Sequence, residues 1–121
     1  MGGIVLQSIL KDVMTSVPGT RAVIFLDGEG ESIAETGESA VDMKMLGAWK
    51  EIHLDSIREI TTRLGLGDVQ AVLFSLDEGN ELIVPVGDDY CLLLRLSLFA
   101  PVQDALAGVK RAVELLSKEV A

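Results

Sequence analysis

Residues 79–96, GNELIVPVGDDYCLLLRL, contain two apolar runs around which the rest of the chain is organised. Leu82–Val84 and Cys91–Leu94 are too continuous to leave one face of a strand in water, so they predict neighbouring strands in a sheet covered on both faces. The residues between them, Gly87–Asp89, favour a turn. Pro85 donates no backbone hydrogen bond, so we expect it at a strand end or a bulge. This hairpin is expected to form the centre of the sheet.

The composition indicates one globular domain, expected to span residues 1–121, with 49% hydrophobic residues and only three prolines. Ten basic and nineteen acidic residues give a formal net charge of −9, which opposes contact with nucleic acid or anionic lipid. The single cysteine allows no internal disulfide and fits a reducing compartment. Because there is neither a secretory signal pattern nor an apolar run of about 18 residues, we expect a cytoplasmic protein without direct membrane insertion.

The rest of the chain divides into further helices and strands. Apolar residues at helical spacing predict a first helix and a last one, and two more β runs precede residue 79. The predicted elements, in order, are a helix over Ile4–Met14, a strand over Ala22–Leu26, a half-solvated edge strand over Glu31–Thr36, a long helix from a capping box at Ser39–Asp42 to about Leu64, a strand over Asp68–Leu76, the hairpin of residues 79–96, and a helix from Pro101 to the C-terminus. This order predicts an α+β fold, a three-layer α/β/α domain with a five-stranded, mostly antiparallel sheet.

The long helix has apolar residues in more than one direction. On a helical wheel, one face gathers around Trp49 and includes Asp42, Leu46, His53, Ser56, Ile57, Ile60 and Leu64. Leu54 and Met43 lie well off that face. A helix with apolar residues outside its main face often contacts something besides its own sheet.

The third β run, VQAVLFSL at residues 69–76, contains no charge and no proline. As an unpaired sheet edge such a segment invites aggregation, because nothing in it opposes pairing with another chain. We therefore expect something to cover it.

Several short motifs, in this order and spacing, are similar to those of the Roadblock/dynein light-chain domain family. They are Val17-Pro18-Gly19 before Ala22–Asp27, Gly28 with Glu29-Gly30, Leu64–Gly67 after the long helix, the run Glu81–Pro85, and Gly87–Tyr90 before the leucines. The resemblance covers nearly the whole chain, and its compactness is similar to the prokaryotic MglB-like type, which regulates a small Ras-like GTPase.

The resemblance implies a roadblock/profilin-like fold and a homodimer, in which the long helices pack together and the third strands pair edge to edge. It also implies a non-enzymatic protein that binds a small Ras-like GTPase and modulates its GTP hydrolysis or exchange. The residues expected at the dimer or partner interface are Trp49, His53, Ile57, Val69, Ala71 and Leu73.

No catalytic, cofactor or metal site is predicted. His53 is the only histidine and lies on the apolar face of the long helix, without an HExxH spacing or a Cys/His cluster, which favours a packed histidine. Cys91 lies in the most apolar run, which favours an inert core thiol. Asp88-Asp89 is interpreted as a solvated turn, because adjacent side chains point to different sides.

Three ligand motifs are incomplete. Asp27, Glu29, Glu31 and Glu38 have spacings like those of a calcium loop, but Ser32 stands where that loop needs glycine, and a hairpin replaces its flanking helices. The segment Gly65–Gln70 begins like a dinucleotide fingerprint but lacks the third glycine and follows a helix. No GxxxxGK[ST] motif is present, so we expect no binding of GTP by this chain itself.

Two alternative functions remain open at this point. The chain could be a passive scaffold that tethers a GTPase equally in both nucleotide states, or a small-ligand sensor with a pocket in its three-layer domain. No arginine is placed well enough to be named as an arginine finger; the five in the chain are Arg21, Arg58, Arg63, Arg95 and Arg111.

Overall fold

The computed structural model describes residues 3–38 and 43–120, with side chains for all of these except residues 43–52. The order of helices and strands agrees with the sequence prediction. The capping box at residues 39–42 lies outside the described residues. The elements are α1 (Gly3–Ser16), β1 (Thr20–Leu26), β2 (Ser32–Gly37), α2 (Met43–Arg63), β3 (Val72–Leu76), β4 (Gly79–Val86), β5 (Tyr90–Leu96) and α3 (Val102–Val120).

The five strands form one sheet in the order β2-β1-β5-β4-β3, and every pairing within it is antiparallel. The hairpin of β4 and β5 supplies the central strand, β5, and its register runs from Asn80 opposite Leu96 to Val86 opposite Tyr90. Pro85 lies one residue before the end of β4. The predicted α+β fold with a central hairpin is confirmed.

Helices cover both faces of the sheet, as the continuous apolar runs required. On one face α1 and α3 pack against alternate strand residues, including Phe25, Leu92 and Leu94. On the other face a smaller cluster contains Leu54 of α2. Its remaining buried members are Ile24, Leu26, Ile83, Cys91 and Leu93. Burial on two faces explains why β4 and β5 are apolar at successive positions.

The turn between β1 and β2 is closed by Asp27. Its Oδ1 atom accepts hydrogen bonds from the backbone N–H groups of Glu29, at 2.9 Å, and Glu31, at 3.0 Å. This is the usual role of an aspartate that starts a turn. The predicted hairpin is therefore present where the calcium-loop spacing occurs.

β3 is shorter than predicted, because it begins at Val72 and not near Asp68. Val69 packs against the cluster on the α2 face, whereas Ala71 packs against the cluster on the opposite face. Residues two apart in a regular strand share one face, so the chain is not a regular strand through these positions. Val69 and Ala71 thus lie in the segment before the strand.

The direction of α2 also differs from the helical-wheel interpretation. Leu54, which lies off the face around Trp49, is fully buried against the sheet. Ile60 and Leu64, which lie on that face, are 55% and 66% exposed. The helical wheel identifies the face with the most apolar residues. The face that is buried is instead the one whose side chain, Leu54, packs into the cluster on the sheet. No helix in the described ranges is long and apolar enough to cross a membrane.

Candidate interaction surface

β3 is an edge strand whose outer side pairs with no strand in the described part of the chain. Two of its five residues are large and exposed, Leu73 at 42% and Leu76 at 48%. The strand carries no charged side chain and no proline, the usual devices that prevent an edge from pairing with another chain. The edge therefore has the properties of a surface that another chain covers.

α2 contacts this edge strand through an aromatic pair. The ring of His53 meets the ring of Phe74 with centroids 5.7 Å apart and planes at 63°, an edge-to-face arrangement. His53 is half-buried, and Ile57, one turn further along α2, is half-buried as well. The packed histidine that the sequence favours is thus observed, and it connects the helix to the strand.

Further exposed apolar residues follow along the same part of the chain. Ile60, Leu64 and Leu66 are 55%, 66% and 70% exposed. Together with Leu73 and Leu76, they make up five of the ten large hydrophobic residues that are exposed in the described structure. Half of these exposed hydrophobic residues therefore lie within residues 60–76. We call residues 53–76 the α2–β3 surface.

The six predicted interface residues have different positions relative to this surface. His53 and Ile57 lie on α2 at half-buried positions, and Leu73 lies exposed on β3. Val69 and Ala71 are partly buried in the segment before β3, on opposite faces. Trp49 lies on α2, but its side chain is outside the described residues. Phe74, Leu66 and Leu76 also belong to this surface, and the sequence prediction did not name them, although all three lie in uncharged runs that it had singled out.

Arg58 fixes the C-terminal half of α2 to the sheet. Its Nη1 and Nη2 atoms donate hydrogen bonds to the carbonyl oxygens of Asp88, at 3.2 Å, and Gly87, at 3.3 Å. The helix is therefore held over the β4–β5 turn at one point and over β3 at another, through His53. These two contacts add to the packing of the buried Leu54 in attaching α2 to the sheet.

Three other arginines form ion pairs. Arg21 Nε lies 2.9 Å from Glu38, and Arg63 Nη2 lies 2.8 Å from Glu59, one helical turn before it. Arg95 pairs with Glu81. Arg111 is exposed on α3. Three of the five arginines thus have a carboxylate partner within this chain, and the Arg21 and Arg63 pairs are exposed to solvent.

Glu81 is a buried charge beside the edge strand, directly opposite Phe74 in the register of β3 and β4. Its Oε1 atom lies 3.0 Å from Arg95 Nε on β5. Burial raises the pKa of Glu81, and the positive charge and hydrogen bond of Arg95 oppose that shift. Glu81 Oε2 and the nearby Asn80 Oδ1 are buried without a hydrogen-bond partner among the described residues.

The described residues contain no cluster of three or more His, Cys, Asp or Glu side chains able to hold a metal ion. Cys91 is fully buried in the α2-face cluster, in keeping with a core thiol. Gly65–Gln70 follows α2, whereas a dinucleotide fingerprint follows a strand. The chemistry that this region offers is apolar contact and strand pairing.

Comparison with solved structures places this arrangement among known folds. The sequence itself matches no protein-family model and no curated protein. A Roadblock/LC7 domain from Streptomyces avermitilis superposes with a TM-score of 0.85 at 18% identity, covering 94% of this chain and 96% of that one. The chain has the Roadblock/LC7 fold.

Two further roadblock structures agree with this assignment. The gliding protein MglB from Thermus thermophilus has a TM-score of 0.83 at 18% identity, covering 98% of this chain and 91% of its own. An MglB in a tetrameric arrangement has a TM-score of 0.81 at 17% identity, covering 93% and 85%. At these identities the likeness is one of fold, and it confirms the predicted resemblance to prokaryotic, MglB-like roadblock domains at that level.

Proposed function

We propose that this chain is a non-enzymatic, homodimeric roadblock regulator that binds a small Ras-like GTPase in the cytoplasm and modulates its GTP hydrolysis or exchange. Residues 1–121 act as one roadblock domain. The chain needs no cofactor or metal of its own for this role. Its partners are a second copy of itself and the GTPase.

The observation that carries this proposal is the uncharged, unpaired outer edge of β3 beside the exposed part of α2. In a symmetric dimer the same surface of both copies meets, so β3 would pair with β3 and α2 would pack beside α2. The two sheets would then join into one, and the exposed leucines of the α2–β3 surface would be removed from water. The MglB neighbour with a tetrameric arrangement supports self-association of this fold.

The regulatory part of the proposal follows from the resemblance to MglB-like proteins and from the absence of chemistry in the described residues. A protein without catalytic groups changes the reaction of a GTPase by binding one conformation of its switch loops more tightly than another. The free-energy shift between the two switch-loop conformations equals the difference between the free energies with which this protein binds them. A passive scaffold binds both conformations equally and changes nothing in the nucleotide cycle.

Capture from the native lysate on immobilised protein tests this proposal. One sample contains a non-hydrolysable GTP analogue and the other contains GDP, and mass spectrometry identifies the retained proteins. We expect a Ras-like GTPase to be retained with one nucleotide and not with the other. Purified GTPase should then hydrolyse or exchange nucleotide at a changed rate when this protein is added.

A control resin carries an unrelated protein of similar negative charge, since a net charge of −9 retains basic proteins non-specifically. Equal retention of the GTPase in both nucleotide states would favour the passive scaffold. If no GTPase is retained, the regulatory proposal is wrong. A thermal-shift screen against metabolites then tests the small-ligand sensor.

A further inference from the structure

A groove of about 950 Å³ lies along β4, beyond the point where β3 begins. One wall comes from the end of α2 and is polar, with Arg58, Thr61 and Thr62. The opposite wall comes from α3, where the apolar residues Leu106, Val109 and Val113 lie among Gln103, Lys110 and Glu114. Val84 and Pro85 of β4 lie between these walls, together with the segment of residues 67–71.

The groove has the position of a strand that is missing from the edge of the sheet. β3 pairs with β4 only from Gly79 to Ile83, whereas β4 continues to Val86 in register with β5. In the described chain, Val84–Val86 therefore has a neighbouring strand on one side only. Three residues of a strand between two covering layers occupy roughly 500 Å³, so the groove has room for them.

The segment that fits this space is residues 69–71 of the same chain. Val72 is opposite Ile83, so continuing the register places Ala71 opposite Val84, Gln70 opposite Pro85 and Val69 opposite Val86. Alternation would direct Gln70 toward the polar α2 wall and Val69 toward the α3 wall, which contains Val109 and Val113. The sequence VQAVLFSL is a continuous β-forming run, so its first three residues favour the strand conformation that they lack in the structure.

Two features hold the segment out of this position. Val69 packs against the cluster on the α2 face, and these contacts would be exchanged for contacts with α3. Pro85 has no N–H group, so the ladder opposite Gln70 can form fewer hydrogen bonds.

The chain before the segment bends through Gly65 and Gly67, with φ of 66° and 90°, and an added Cβ at either would meet no atom within 4 Å. Both glycines therefore have open space around them.

We propose that residues 67–71 form a strap that closes into this groove and extends β3 from Val72 back to Val69. Closure buries Val69 between β4 and α3, and it lengthens the outer edge of β3 from five residues to eight. A longer edge offers more backbone groups to a second copy, so dimerisation and closure favour each other. This coupling rests on the proposed dimer, whereas closure itself is a property of one chain.

The test is NMR on the full-length, isotope-labelled protein. Cross-strand NOEs between residues 69–71 and 84–86, together with slow amide exchange of residues 69–71, are expected and would show closure. Two variants at one exposed position form a matched pair. Gln70→Thr favours the strand and should slow exchange of the strap roughly fivefold, whereas Gln70→Pro removes a donor and should abolish the protection.

Isotope-filtered NOEs from a mixed sample of labelled and unlabelled protein show whether any strand contact in the groove comes from the same chain. Contacts to Val84–Val86 from another copy would overturn the proposal in favour of strand addition from outside. Unprotected amides at residues 69–71 in the native chain and both variants would also overturn it. Light scattering on the same samples measures the mass of the assembly independently. If residues 69–71 close into the groove in a monomer, the closure proposal stands and the proposed dimer is refuted.

Discussion

At the scale of single residues, the most unusual group is the carboxylate of Glu81. A buried carboxylate costs free energy unless its partners compensate for lost hydration, and here Arg95 contacts one oxygen while the other has no partner among the described residues. The raised pKa of Glu81 shows that burial outweighs the attraction of Arg95. The sequence places Glu81 beside an apolar run, but only the pairing of β4 between two strands explains its burial.

Replacing Glu81 with Gln should therefore change how stability depends on pH. A carboxyl whose pKa is higher in the folded state contributes stability at low pH, and this contribution is lost as the pH rises through the folded-state pKa. Urea unfolding of the native protein and of Glu81→Gln, measured between about pH 4 and pH 8, should show the variant gaining stability relative to the native chain as pH rises. If the stability of Glu81→Gln relative to the native chain stays constant or falls as the pH rises over this range, Glu81 has no raised pKa.

At the scale of secondary-structure elements, the sequence predicted most of the fold because its patterns were local. The continuous runs of β4 and β5, the turn at Asp27 and the apolar spacing of α3 each require only a few neighbouring residues, and each element is found where it was predicted. Two features depended on distant contacts. The start of β3 depends on its pairing with β4. The buried face of α2 depends on the cluster of sheet residues against which Leu54 packs.

The orientation of α2 predicts that replacing two of its apolar residues with alanine lowers the free energy of unfolding by different amounts. Leu54→Ala removes a fully buried side chain and should lower the free energy of unfolding by about 2–5 kcal/mol. Ile60→Ala changes a side chain that is 55% exposed and should cost less than about 1 kcal/mol in the monomer. Chemical denaturation of both variants, at concentrations low enough to favour the monomer, checks this. Equal costs would contradict the observed orientation of the helix.

The two edges of the sheet provide a second comparison. Leu73→Glu places a charge on the edge of β3, and we expect an aggregating or unfolded protein, because the surrounding apolar residues lose their cover. Ile33→Glu makes the same kind of change on β2, the opposite edge strand, where Ile33 is 38% exposed against 42% for Leu73. The control should fold and assemble like the native chain. Size-exclusion chromatography and thermal melting of the two variants distinguish the edges. If Leu73→Glu assembles as well as Ile33→Glu, the β3 edge is not the interface.

At the scale of the whole molecule, helices on both faces of a fully antiparallel sheet produce the Roadblock/LC7 fold, and the sequence anticipated this from the order of its elements. The candidate interaction surface could be predicted only in part. Leu73 and the residues of α2 follow from an uncharged strand and a helix with excess apolar surface. The displaced positions of Val69 and Ala71 arise from tertiary packing, which no local pattern contains.

In the proposed dimer, a second copy of this chain covers the open edge of β3 and the exposed part of α2. Light scattering coupled to size-exclusion chromatography, at micromolar concentration, tests it most directly. A dimer is expected to give a mass of twice the 12.9 kDa of one chain. A mass of 12.9 kDa, from folded protein that stays in solution, would contradict it.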